Sequence, residues 1–248
     1  MYPADRSAIV SEARELLGDK VAAFVERRLR PAVALIPDPE APSRSRFGGL
    51  PHLAPGEAWP TYNWPGRFVG QIDFAELPAS MHEALPLPSA GLLRLFVPAT
   101  DVDQDEFFWG DPGYVKTLFA ASEPVLQAEW PEKLPDYARS TGCGLRLEAV
   151  WDLPPHSVLV DDWPFEDGWN DDYSSFVERL RPTEHLFGYT DFTSLGYDPC
   201  PTGSIPFLTL SSLEDFGWCW HDGDYLQVFV ASEALERGEF GDLSSDAG

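Results

Sequence analysis

Three carboxylate pairs, Asp161-Asp162, Glu166-Asp167 and Asp171-Asp172, are interleaved with Trp163, Phe165, Trp169 and Tyr173. Acids mixed with aromatic rings attract cations through ion pairs and cation–π contacts. Trp and Tyr are also favoured anchors at protein interfaces. Asp161, Asp162, Trp163, Asp167, Trp169, Asp171, Asp172 and Tyr173 are therefore the candidate partner-binding residues, and the partner they suit is a basic protein or a cationic ligand. A surface loop whose rings turn inward while its acids face water would use the same residues.

Other clusters carry weaker chemistry. Asp101-Val102-Asp103-Gln104-Asp105 alternates carboxylates as a calcium loop does. An EF-hand would continue with glycine and place glutamate at its twelfth position, where this chain has Glu106 and Pro112. The stretch reads as a solvated acidic loop, with a weak Ca²⁺ site as its alternative, and no metal or cofactor is assigned. Cys219-Trp220-His221 lacks the further ligands that zinc needs, and an extended backbone puts Cys219 and His221 on one face with Trp218 and Trp220 on the other. Gly48-Gly49-Leu50-Pro51 is a tight turn rather than a phosphate loop, because no lysine follows and Pro51 and Pro55 deny a helix its first turns. There is no nucleophile elbow, dinucleotide fingerprint or His-Glu-x-x-His. His52, His156 and His185 can meet only in three dimensions, as can a carboxylate pair for glycoside hydrolysis.

Charge narrows the partners. Residues 1–46 carry eight Lys/Arg and seven Asp/Glu, whereas residues 47–248 carry nine and 34, for a net charge of −24 overall. Such a body repels nucleic acid and anionic lipid, and it steers cations inward. Solubility in a crowded cytoplasm would account for the same charge. Three cysteines, Cys143, Cys200 and Cys219, make no disulfide framework and fit a reducing compartment. No apolar run reaches the ~20 residues of a membrane helix. Asp5 and Arg6 stand where a signal peptide would have its basic start and apolar stretch, so the expected location is the cytoplasm.

These residues must be positioned by a chain rich in short elements, with 24 prolines and 20 glycines. Ile9, Val10, Ala13, Leu16, Leu17, Val21, Val25 and Leu29 recur at helical spacing and predict an amphipathic helix over 5–30, bent at Gly18 and stopped by Pro31. Strands are expected at Ala32–Ile36, Phe68–Phe74, Leu92–Val97, Tyr114–Ala120, Leu145–Trp151, Ser157–Val160, Phe207–Leu210 and Tyr225–Val230. Helices are expected at Ala79–Ala84, Tyr173–Arg181 and Ser232–Arg237. The polar end of the chain, Gly241–Gly248, reads as frayed. Two stretches look alike. Phe47-Gly48, Val69–Phe74 and Gly91–Val97 are echoed by Phe187-Gly188, Phe207–Ser211 and Asp224–Val230, with Arg94 and Gln227 at the same place in the closing strands. The expected fold is α+β, with the N-terminal helix packed on a mixed or antiparallel β-core of two related units. Residues 1–46 (helix, strand and linker), the body 47–243 and a tail 244–248 form one domain.

The order of Phe47-Gly48-Gly49-Leu50-Pro51, Trp59-Pro60, Gln71-Ile72-Asp73-Phe74, His185-Leu186-Phe187-Gly188-Tyr189 and Trp220-His221-Asp222-Gly223-Asp224 resembles the YwqG-like family, a bacterial group whose domain has no known function. The resemblance spans residues 45–243. It implies an α+β fold with related halves and marks Gly48, Gly49, Pro51, Trp59, Gln71, Asp73, Gly188, Trp220, Asp222 and Gly223 as motif residues, but brings no catalytic ones. The chain departs from the family where His221-Asp222-Gly223-Asp224 replaces a Gly-Asp-x-Gly turn and where Leu53-Ala54-Pro55 lacks an extra proline. Relatives near toxin–immunity systems turn the resemblance toward an immunity-type role. The expected function is thus a non-enzymatic binding protein for a basic partner. The alternatives are a small-molecule or carbohydrate binder at the seam between the units, and a hydrolase using carboxylates or His221.

Overall fold

The computed structural model describes residues 5–99, 107–121, 125–159, 163–165, 170–192 and 194–248. Its centre is one ten-stranded sheet in which every pairing is antiparallel. In chain order the strands are β1 (Arg30–Pro37), β2 (Arg46–Phe47), β3 (His52–Leu53), β4 (Arg67–Asp73), β5 (Leu92–Val97), β6 (Lys116–Ala120), β7 (Leu126–Gln127), β8 (Cys143–Asp152), β9 (His185–Phe187), β10 (Ser204–Ser211), β11 (Tyr225–Ala231) and β12 (Ser244–Ala247). β3 and β7 form a separate two-stranded ribbon, and the others lie in the order β12-β11-β10-β9-β1-β8-β2-β4-β5-β6. The helices are α1 (Arg6–Arg28), α2 (Ala79–Ala84), α3 (Asn170–Leu180) and α4 (Ser232–Glu236). No described helix is long and apolar enough to cross a membrane.

Either side of the central β1–β8 pair the sheet repeats one pattern: a short strand, two long strands offset by a bulge, and an edge strand. The bulges fall between Phe68 and Gly70 on one side and between Pro206 and Leu208 on the other. A bulge also tolerates the proline that an interior strand would otherwise exclude. Register places Phe47 opposite Gly70 and Leu186 opposite Leu208. The matching turns are therefore Gly48-Gly49 (φ +57° and +69°) and Phe187-Gly188 (φ +63° and +81°). Aligning one Phe-Gly dipeptide on the other, as the sequence invites, is out by one residue. Phe187 holds a left-handed conformation that the other half gives to glycine.

The sheet curls into a half-barrel. Its ends are tied where the Thr117 hydroxyl of β6 donates to the Phe240 carbonyl and Ser245 Oγ of β12 donates to the Trp109 carbonyl at 2.7 Å. Alternating residues point into the curl. Aromatic rings fill it edge to face, with Phe74–Phe240 centroids 5.0 Å apart and Phe47–Trp218 centroids 5.2 Å apart. Such pairs stabilise by about 0.5–1.5 kcal/mol beyond their burial.

The structure corrects three expectations. The fold is mostly β, not an α+β layer with the first helix on the β-core, and of the two expected sheet types it is the antiparallel one that forms. The apolar stripe of α1 (Ile9, Val10, Ala13, Leu17, Val21, Phe24, Val25) packs instead with Tyr173, Phe176, Val177 and Leu180 of α3 and with Leu153 and Leu159, forming a cluster separate from the barrel core. The curl already satisfies its interior face with strand residues, so the helix buries its stripe against another helix. Gly18, at φ +82° and ψ +170°, kinks α1 as expected. Second, the Ser157 region is a 3-10 turn over His156–Leu159, not a strand. Third, the tail expected to fray pairs as β12, with Ser244–Ala247 opposite Leu226–Phe229.

Candidate functional site

Antiparallel register puts His185 of β9, Thr209 of β10 and Gln227 of β11 side by side. Leu208, Leu210, Leu226 and Val228 face the core, so this polar row lies on the opposite, outer face. The segment after α3 folds back over it. The left-handed pair Phe187-Gly188 ends β9 sharply and brings the Tyr189 N–H to Asp152 Oδ2 at 2.7 Å, while Leu153 N–H donates to Oδ1 at 2.9 Å. Asp152 is fully buried. Arg181, just past α3, lies with Nε 3.7 Å from Asp152 Oδ1, donates from Nη1 to Asp191 Oδ2 at 3.3 Å, and donates from Nη2 to the Tyr189 carbonyl at 2.6 Å. Gln227 clasps the backbone of Asp191, accepting from its N–H at 3.1 Å and donating to its carbonyl at 2.6 Å.

Between this network and the sheet lies a cleft of about 170 Å³ lined by Glu178, Arg181, His185, Asp191, Thr209 and Tyr225. A larger groove of about 340 Å³ shares Glu178, Arg181 and Asp191 and runs on past Ser174 to His156 and Ser157. Helical spacing aligns Asp171, Ser174, Glu178 and Arg181 along this flank of α3. Thr209 is 3% exposed, and its hydroxyl has no hydrogen-bond partner among the described residues. The lining carries two carboxyl side chains, Glu178 and Asp191, against the one guanidinium of Arg181.

Burial sets the ionisation of the floor. It depresses the His185 imidazole, against an upward pull from Asp152. The ring nitrogens lie 3.1 Å from the Pro182 carbonyl and 3.4 Å from the Tyr189 carbonyl, and a neutral ring donates to one of the two. Burial, then Asp191, raises Tyr225; burial also raises Glu184, opposed by a hydrogen bond from Ser211. A histidine buried neutral withholds a proton that the unfolded chain accepts. The unfolded state therefore binds more protons as pH falls below the ordinary histidine value, and stability falls in that window. Urea unfolding at pH 7.5 and 5.5 should show a steeper acid loss for the wild type than for His185→Gln. Equal losses would mean that His185 is protonated in the fold.

The other half of the sheet has the equivalent row Arg46, Gln71 and Arg94, but it is closed. Gln71 accepts from the His52 N–H at 3.0 Å and donates to the Arg44 carbonyl at 2.7 Å, while fully buried Arg94 pairs with Glu57 at 2.6 Å. Burial lowers the His52 pKa. The other motif residues hold turns and packing. A Cβ on Gly48 would lie 2.8 Å from the Thr141 carbonyl, and Pro51 accepts from the Ala128 N–H at 2.8 Å. Trp59 donates to Gly66 at 2.8 Å, Asp73 caps Ala75 at 3.0 Å and pairs with Arg44 at 2.9 Å, and Trp220 donates from Nε1 to Ser211 at 3.1 Å. Asp222 and Gly223 form the turn closed by the Trp220 carbonyl.

The proposed partner-binding residues divide. Asp161, Asp162, Asp167 and Trp169 lie outside the described residues, as does Asp101–Asp105. Asp171 and Asp172 are exposed in the first turn of α3. Trp163 is half-buried among Phe165, Tyr173 and His156, at centroid distances of 5.1, 5.0 and 4.9 Å. Tyr173 is fully buried and donates to the Pro154 carbonyl at 2.9 Å. These two rings serve the helical cluster rather than an open surface. Cys219 is exposed while Trp218 and Trp220 are buried, and the three cysteines are free. His221 sits 3.3 Å from Asp224 Oδ2. Among the described residues, no group of three or more His, Cys, Asp or Glu side chains could hold a metal ion. Of the histidines, His185 floors the cleft, His156 lines the adjoining groove and His52 belongs to the other half. Sequence reading missed Asp152, Glu178, Arg181, Asp191, Thr209 and Tyr225, which carry no local signature.

Fold and site together define a mostly β protein whose curled antiparallel sheet carries one acidic, partly buried cleft on its outer face. The chain belongs to the family described as Domain of unknown function (DUF1963), whose sequence profile matches residues 45–245. A search of curated proteins finds no match.

Proposed function

We propose that this chain is a non-enzymatic, cytoplasmic binding protein of the YwqG-like kind that captures a basic protein, in the manner of an immunity factor. The observation that carries this reading is the groove beside α3. Exposed Asp171 and Glu178 stand along one flank of α3, and the groove continues into a cleft with more anions than cations. A net charge of −24 would speed encounter with a cationic surface. Enzymatic use of the cleft has less support, since both nitrogens of its histidine face carbonyls. A ligand at the seam has less support too, because the cavity between Phe47, Leu95, Leu208 and Leu210 measures about 10 Å³, about the room needed for one water.

Affinity capture from host lysate at low and high salt tests the reading. A basic protein should be retained at low salt and released at high salt, where screening shortens to a few ångströms. Substituting Asp161, Asp162, Asp171 and Asp172 with Asn should weaken that capture. Capture indifferent to salt and to these substitutions would remove the proposal.

A further inference from the structure

Resting on that reading of a basic partner, we propose that the cleft floored by Thr209 and walled by Tyr225, Asp191 and Glu178 receives one alkylammonium or guanidinium group, the side chain of a lysine or arginine on the partner. The floor is the first reason. Thr209 is 97% removed from solvent, yet its hydroxyl faces the cleft with no hydrogen-bond partner among the described residues. The hydroxyl keeps a little contact with solvent through the cleft, so a ligand there can take the place of water. Tyr225 adds a second hydroxyl with no hydrogen-bond partner among the described residues.

Charge gives the ligand its sign. Arg181 is engaged by Asp152, Asp191 and the Tyr189 carbonyl, so it offers little to an incoming anion. Toward the space stand the exposed Glu178 carboxylate and the hydroxyls of Thr209 and Tyr225, beside an Asp191 carboxylate that Arg181 and Ser157 already engage. An ammonium brings three donors and a guanidinium five, with no acceptor between them. Size agrees. A volume of about 170 Å³ is far above the ~10–15 Å³ that admits a single water, leaving room for a short alkyl chain with a charged head. The adjoining groove shares Glu178, Arg181 and Asp191, so a chain lying along α3 could present a side chain downward into the cleft.

The test uses the whole chain and defined probes. Titration of ¹⁵N-labelled protein with n-butylammonium chloride or n-butylguanidinium chloride at constant ionic strength should shift the amides of Asp191, Thr209 and Tyr225 saturably. Butan-1-ol and sodium butyrate should not. Thr209→Val keeps the β-branched shape and should weaken both cations by about tenfold, the loss of one charge-assisted hydrogen bond. Exposed Glu178→Gln should weaken them several-fold, and it serves if Thr209→Val folds poorly. Equal shifts with butanol, or unchanged cation affinity in Glu178→Gln, would overturn the pocket. The partner reading is separable. Salt-dependent protein capture untouched by Thr209→Val and Glu178→Gln removes the pocket alone. Saturable butylammonium binding by a chain that captures no basic protein upholds the cation site and removes the partner.

Discussion

Gly188→Ala should cost about 3 kcal/mol or more, while Gly203→Ala should cost only about 1–2 kcal/mol. The two glycines share nearly the same φ, +81° and +84°, so both positions disfavour an L side chain before any contact is counted. Their surroundings differ. A Cβ on Gly203 meets nothing within 4 Å. One on Gly188 would overlap Asp152 Oδ2 and sit 3.0 Å from Asp152 Cβ. That carboxylate cannot retreat, because it is fully buried and held by the N–H groups of Leu153 and Tyr189. Chemical denaturation of both variants gives the difference directly. Equal losses would show that the turn yields easily and that Asp152 is not pinned.

Asp152→Ala should be the most damaging single change at the site, at about 3–5 kcal/mol, the usual cost of stripping one partner from a buried ion pair. It frees two backbone donors and leaves Arg181 with Asp191 as its remaining acid partner. The loss does not measure the worth of the pair, since part of it is the penalty on a cation left with one carboxylate instead of two. Adding Arg181→Met should therefore restore some of the stability, and the non-additivity in a double-mutant cycle reports the coupling. If Asp152→Ala stays within about 1 kcal/mol of wild type, far below that range, the network is not what holds the turn after β9. Near-additive losses in the cycle would show instead that Asp152 acts through Leu153 and Tyr189 alone.

Much of the local structure was legible in sequence because it depends on neighbours along the chain. Short aromatic and aliphatic runs bounded by turn residues marked β4, β5, β10 and β11 to within a few residues, and the 3.6-residue stripe marked α1 together with its break at Gly18. The likeness of Gly91–Val97 to Asp224–Val230 corresponds to equivalent places in the sheet, with Arg94 opposite Gln71 and Gln227 opposite Thr209. The error in matching the two Phe-Gly turns had a local cause. Phe187 adopts a φ of +63° that bulky side chains rarely take, and nothing in its identity announces that. The strands β2, β3, β7, β9 and β12 were missed since two to four residues carry too little periodicity to read.

What the sequence determined by itself is the charge, the strand-rich texture and the amphipathic helix, all of which follow from composition and short-range pattern. Only the tertiary structure decided where that helix buries its stripe and which residues make the cleft. Asp152 ends β8, Arg181 follows α3, Thr209 sits mid-strand in β10 and Tyr225 begins β11. Their meeting depends on sheet order and on a register in which a one-residue slip would turn Thr209 into the core. Partner choice across a sheet is settled by the packing of the whole chain, so a hydroxyl that looks ordinary in sequence ends up lining a cleft with no hydrogen-bond partner among the described residues.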